Sequence, residues 1–227
     1  MTKGNWPKCA HCQLKPEERA CRGEGKRAPV FCPMTLEGTA IERSREEYRE
    51  AGNREFACRA ALQEASGYEV DKADPEKRRP VKPRLLEIAE FAHRMGYRRL
   101  GLAFCTGLHR EAAAVTRVLE GHGFDVVSVV CKVGRISKEE IGVQEKEKIS
   151  PGKFESMCNP IGQAKVLNAA ATDFNVVLGL CVGHDSLFFK YSQAPTTVLA
   201  AKDRVTGHNP LAVVYTLDHY YSRLLKP

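Results

Sequence analysis

Three apolar runs in this sequence end on a cysteine: RRLGLAFCTG on Cys105, DVVSVVCKVG on Cys131 and NVVLGLCVGHD on Cys181. A fourth, Cys158, stands in MCNPIGQ just ahead of Asn159 and Pro160. Thiolates are soft ligands that suit zinc and iron–sulfur iron, and they are also nucleophiles. One reading is therefore a shared metal or iron–sulfur site on Cys105, Cys131, Cys158 and Cys181. The other is a reactive-thiol site without metal. His184 and Asp185 follow Cys181, and Lys202, Asp203 and His208 stand in KDRVTGHNP, where all five are candidates to orient a substrate or move protons. The structural alternative is that Asp185 caps a helix, Lys202 and Asp203 lie on the surface, and the two histidines are loop or capping residues.

A second set lies near the N-terminus. CAHCQLKPEERACRGEGKRAPVFCP places Cys9, Cys12, Cys21 and Cys32 at C-x2-C-x8-C-x10-C. The first pair can grip one ion from a tight turn, and the other two close a small loop-rich knob. With almost no apolar residues to bury, such a segment needs a metal to fold. Four thiolates suit tetrahedral Zn2+ and equally a 4Fe-4S cluster. The alternative is an unstructured tail that carries thiols. Cys58, alone on a helical stretch, reads as a small buried hydrophobe.

The remaining pattern supplies the elements that must position these groups. Residues 1–34 form the cysteine-rich knob, and 35–82 a helical segment, broken near Gly52 and Asn53, followed by a charged linker. Residues 83–227 form an α/β domain. Helix PRLLEIAEFAHRMG, strand YRRLGLAF, helix LHREAAAVTRVLEGHG and strand FDVVSVVCKV come first. A charged stretch at 135–153 reads as a long loop. Helix NPIGQAKVLNAAAT, strand FNVVLGLCV, a short helix SLFFKYS, strand TTVLAA and a last helix NPLAVVYTLDHYYSRLL complete the chain. Strands apolar on both faces and alternating with helices predict a four-stranded parallel three-layer sheet of the flavodoxin or Rossmann type.

Right-handed crossovers make all four strands point the same way, and ligands gather outside their carboxyl ends. With strand order 2-1-3-4, neighbours about 4.8 Å apart bring the strand-end thiols within roughly 10 Å of one another. Asn159–Pro160 and Asn209–Pro210 read as N-cap and first helical residue, so Cys158 and His208 arrive at the same edge ahead of helix N-termini. His109 stands near that edge inside a helix start, whereas His93, His122 and His219 read as packing or surface residues.

Composition narrows the class. The chain has 227 residues, 43% of them apolar, with nine cysteines and a net charge of +7. The basic residues are interleaved with acids, which points to a solvated surface and away from nucleic acid. No apolar signal core and no membrane-length apolar run are present, so a soluble, cytoplasmic protein is expected, and its thiols are expected to be reduced. No G-x-G-x-x-G follows the first strand, which argues against dinucleotide binding.

The cysteine knob together with FCTGLHREA, MCNPIGQA, GLCVGHDSLFFKYS and KDRVTGHNP resembles the family catalogued as domain of unknown function 1847, over essentially the whole chain. That resemblance implies a metal-binding protein of the kind found in anaerobic bacteria and archaea, with these cysteines as ligands, and it implies no particular reaction. The first functional expectation is an iron–sulfur protein acting in redox or small-molecule chemistry, with a redox partner protein or a small-molecule ligand. The alternatives are a zinc protein for storage, delivery or partner binding, and a thiol-dependent enzyme with His184 as base.

Overall fold

The structure is a computed structural model that describes residues 6–75 and 77–225. The chain divides into two units, residues 1–62 and 63–227.

In the first unit, single 3-10 turns at Cys9–His11, Pro16–Glu18 and Ala20–Arg22 lead to α1 (Pro33–Leu36), α2 (Gly38–Glu47) and the start of α3 (Ala51–Ser66). None of the described residues from 6 to 62 is buried. Backbone bonds such as Lys8 N–H to the Phe31 carbonyl (3.2 Å) link the ends of this segment, with no buried side chain among its described residues. The helical break falls at 48–50, ahead of Gly52 and Asn53, where the Asn53 amide donates to the Glu47 carbonyl at 3.1 Å. Cys58 is exposed, contrary to expectation, because this part of α3 has no buried face.

The second unit opens with a small antiparallel hairpin, β1 (Tyr68–Val70) and β2 (Arg78–Pro80), inside the stretch that reads as a charged linker. An Arg79–Glu69 ion pair at 3.2 Å spans it, so the charges that suggest a linker also pair across two strands. Then follow α4 (Arg84–Arg94), β3 (Arg99–Phe104), α5 (His109–Gly121), β4 (Asp125–Val130), α6 (Pro160–Ala169), β5 (Phe174–Leu178), α7 (His184–Tyr191), β6 (Thr196–Ala200) and α8 (Leu211–Tyr215). The sheet is parallel throughout, in the order β4-β3-β5-β6, so the first of its strands lies between the second and the third.

Burial follows from that order. The central strand β5 is wholly buried and β3 nearly so, whereas edge strand β4 is mixed. Register pairs Phe104 with both Val130 and Leu178, which fixes the faces. Phe91 of α4 packs on Phe174, and His109 at the start of α5 meets Phe104 edge-on, both on one face. On the other face Ala103, Cys105, Val129, Cys131 and Val177 form a core with Ala164 and Leu167 of α6 and Phe188 of α7. His93 stacks on Phe124, a packing role.

Two expected elements differ. The last helix is five residues long, with Pro210 in place of Asn209 at its cap. The Thr216 hydroxyl donates to the Ala212 carbonyl at 2.7 Å, a back-bond that competes with helix continuation, in a run already rich in β-branched residues. The short helix α7 begins earlier, at His184, behind Gly183 at φ 84°, so His184 and Asp185 occupy its first turn.

Candidate metal centre

Strand pairing delivers two of the cysteines side by side. Cys131 N–H bonds the Phe104 carbonyl at 2.9 Å and Cys105 N–H bonds the Leu178 carbonyl at 3.1 Å, so the ladder continues one residue past each strand end. Gln163 of α6, fully buried, donates its amide to the Phe104 carbonyl (3.2 Å) and the Val129 carbonyl (2.7 Å). It ties the ends of β3 and β4 together from behind.

The third cysteine comes with the N-terminus of α6. Asn159 caps that helix through Gly162 N–H at 2.8 Å, a bond of the kind worth about 1 kcal/mol. The Asn159 backbone N–H meets the Cys131 carbonyl at 2.7 Å, and its amide reaches the Val133 carbonyl at 3.1 Å. These three bonds hold Cys158 beside Cys131, with sulfurs 3.8 Å apart. Cys105 is hydrogen-bonded to Cys131 as well.

The trio is therefore a chain of contacts with Cys131 at its middle. Among the described residues no three His, Cys, Asp or Glu side chains form a closed cage for an ion. The electrostatics divide the thiols. Cys131 is pushed up by its hydrogen bonds to Cys105 and Cys158 and by burial. Cys105 falls to about 4, chiefly through the bond to Cys131, with help from Gly107 N–H and Lys202. Cys158 falls to about 5 through Cys131 and then the charges of Lys132 and His184. Thr106 N–H also donates to the Cys131 sulfur at 3.3 Å. Soft thiolate donors supported by backbone N–H groups suit zinc or an iron–sulfur cluster.

These groups open onto a cavity of about 730 Å³. Cys105, Cys131, Cys158, Cys181, His184, Lys202, Asp203 and His208 all line it. Asp185 does not: its carboxylate accepts the Ser186 N–H at 2.8 Å within the first turn of α7. Cys181 stands apart from the trio, its sulfur accepting from the Arg204 guanidinium at 3.2 Å. The histidines differ in a way sequence could not reveal. His184 Nδ1 is buried and has no hydrogen-bond partner among the described residues. His208, at φ 67°, takes the Asp203 N–H on Nδ1 at 3.1 Å. An imidazole that accepts on Nδ1 carries its proton on Nε2, so His208 offers a donor there.

One wall of the cavity is the 131–159 connection, whose 135–153 stretch reads from sequence as a long loop. Its stem pairs Ser137 with Ser156, and Lys138 pairs with Glu155. Buried Lys148 reaches Glu139 and Glu145, both at 2.7 Å, and the Lys153 carbonyl at 2.6 Å. Besides Gln163, sequence reasoning passed over Lys132 and Arg204. Lys132 directly follows a strand-end cysteine and Arg204 follows Lys202–Asp203, so adjacency was the available signal.

In the first unit Cys9, Cys12, Cys21 and Cys32 line a separate pocket of about 130 Å³, beside Arg19, Arg27 and Phe31. Cys9 and Cys21 are exposed, and Cys12 and Cys32 are half-buried.

Among known proteins, the chain is 45% identical over 181 residues to an uncharacterized protein of Methanocaldococcus jannaschii, covering 80% of this chain and 86% of that one. Among solved structures it resembles Dph2 from Pyrococcus horikoshii, at 17% identity and TM-scores of 0.35 and, for the structure with a 4Fe-4S cluster, 0.34. Each of these likenesses covers 64% of this chain, which spans a third of the length of Dph2. The family match over residues 32–199 holds Cys105, Cys131, Cys158, Cys181 and His184, and leaves Cys9, Cys12, Cys21, Lys202, Asp203 and His208 outside. With that match over most of its length, the chain belongs to the family of proteins of unknown function DUF1847.

Proposed function

We propose that this chain is an iron–sulfur protein whose centre is held by Cys105, Cys131 and Cys158 and works on a small molecule in the adjoining cavity. The observation that carries the reading is the meeting of three thiols, from the ends of β3 and β4 and ahead of α6, in the lining of a cavity of about 730 Å³. A structural ion needs no such space beside it. Three protein thiolates leave a further ligand position to Cys181, to the unpartnered nitrogen of His184, or to the molecule in the cavity. A bound cluster would supply one-electron chemistry or a Lewis-acidic iron. The chain's own part is to hold the thiolates, to present Lys202 and the His208 donor toward the cavity, and to wall it with the 131–159 connection.

A second reading, a single zinc ion, is favoured by one distance. Two sulfurs bound tetrahedrally at about 2.3 Å each stand about 3.8 Å apart, and the Cys131–Cys158 separation is 3.8 Å. Anaerobic purification of the full chain separates the two. The first reading expects brown protein with iron and acid-labile sulfide and a colour that bleaches on reduction. Colourless protein with stoichiometric zinc would replace it with the second, and protein free of both metals would leave the thiol-dependent alternative.

We further propose that the N-terminal knob, residues 1–34, is a four-thiolate metal unit on Cys9, Cys12, Cys21 and Cys32. The absence of any buried side chain among its described residues supports this, because a segment without a core is held by its ligands. Chelation under reducing conditions is expected to open residues 1–34 to protease while the α/β unit resists. Equal protection with and without chelator would refute the knob.

A further inference from the structure

The cavity beside the thiols carries three cationic side chains that no carboxylate pairs with among the described residues. Lys132, Lys202 and Arg204 all line it. Among the described residues none of the three has a carboxylate partner: Lys132 donates to the Ser156 carbonyl at 2.5 Å, Arg204 to the Cys181 sulfur, and Lys202 to Cys105. The two lining carboxylates are occupied elsewhere. Glu155 is paired with Lys138 and accepts Ser150 N–H at 3.1 Å. Asp203 accepts the N–H groups of Val205 and Thr206 at 2.9 and 3.0 Å, within its own turn.

That turn is rigid. His208 N–H returns to the Asp203 carbonyl at 2.8 Å, while Asp203 N–H holds His208 Nδ1. The reciprocal pair fixes the imidazole with its Nε2–H free for a ligand and sets it in the same loop as Lys202 and Arg204. Two cations and an N–H donor on one short loop, with Lys132 lining the same cavity, make a receptor for a planar or tetrahedral oxyanion. A metal bound by the thiolates would take up part of their negative charge, and Arg204 lies outside the trio altogether, on Cys181.

We infer that the molecule taken by this cavity is a small anion bearing a carboxylate or phosphate group, bound by Lys202, Arg204 and the Nε2–H of His208. This deepens the proposed function and rests on the cavity being the working site, whichever metal the thiols hold. Titration calorimetry on anaerobically purified full-length protein tests it, with pyrophosphate in one arm and citrate in the other, at constant ionic strength set with chloride. Saturable binding in one arm is expected and tells phosphate from carboxylate. Lys202→Gln and Arg204→Gln should each weaken it at least tenfold, as should His208→Asn, chosen because asparagine tolerates the left-handed backbone there. The charge-keeping Lys202→Arg should retain most of the affinity and serves if a neutral variant fails to fold. No heat above chloride in either arm, or equal binding by the wild type and the neutral variants, overturns the inference. Metal content measured on the same samples reports separately on the centre: a metal-loaded chain that ignores both anions refutes the anion site alone, and a metal-free chain that binds one refutes the centre alone.

Discussion

Replacing Cys131 with serine is expected to strip the sheet-edge centre of its metal while the knob keeps its own. Cys131 is the thiol that touches both others, is 2% exposed, and receives Thr106 N–H. A hydroxyl at this position is a poor ligand for iron or zinc. The loss should exceed the roughly 10–100-fold fall in affinity that follows removal of an outer-shell partner. Cys181→Ser is expected to do far less, because Cys181 is set apart from the trio and engaged by Arg204. Metal per chain, measured on both variants after anaerobic purification and gel filtration, reads the difference. Equal occupancy in Cys131→Ser and wild type would make the trio ordinary packing. Equal and complete loss in the two variants would move Cys181 into the primary ligand set.

The second large effect is expected from Phe188→Ala. Phe188 is wholly buried and packs α7 against the face of the sheet that holds Cys105, Cys131, Ala164 and Leu167. Emptying such a position removes the transfer energy of the ring and leaves a cavity, together about 3–5 kcal/mol. Against a typical domain stability of about 5–15 kcal/mol, that is about a fifth or more of the total. Thermal unfolding of metal-free protein should shift down by about 10 °C or more. Its neighbour Phe189 is 42% exposed, and Phe189→Ala should cost about 1 kcal/mol or less. Matching melts for the two variants would contradict the packing of α7. Because His184 begins this helix, Phe188→Ala should also loosen His184 while leaving the cysteines on β3 and β4 in register.

The sheet and its edge were legible because their signals are local and redundant. Apolar runs of strand length, each closed by a helix pattern, leave few topologies once crossovers are right-handed, and the 2-1-3-4 order taken as a premise is the one the sheet adopts. That order puts Cys105 and Cys131 at equal depth, and Asn159–Pro160 announces the helix that brings Cys158. The parts that escaped depend on contacts distant in sequence or on side-chain geometry. Gln163 is a polar residue on an apolar helix face, and only the two strand carbonyls it meets explain it. Lys148 looks like one charge among many in KEEIGVQEKEK until Glu139 and Glu145 close around it. Asn209–Pro210 carries the same cap signature as Asn159–Pro160, yet the β-branched run behind it sustains only five helical residues.

The Gln163 clamp has a consequence for how fast a ligand set of this kind can turn over. The backbones of Cys105 and Cys131 are fixed by the strand ladder and by one buried amide bridging their strands, so their Cα positions cannot separate without breaking the sheet edge. Cys158 depends on the cap bonds of Asn159, and Cys181 on a short turn between Gly179 and Gly183, both at positive φ. Dissociation of a bound ion should therefore be stepwise and directional. It begins at the α6 cap that carries Cys158, or at the Cys181 turn where that thiol fills the further position, and ends at the paired strands, which act as the slow, last-releasing half of the chelate.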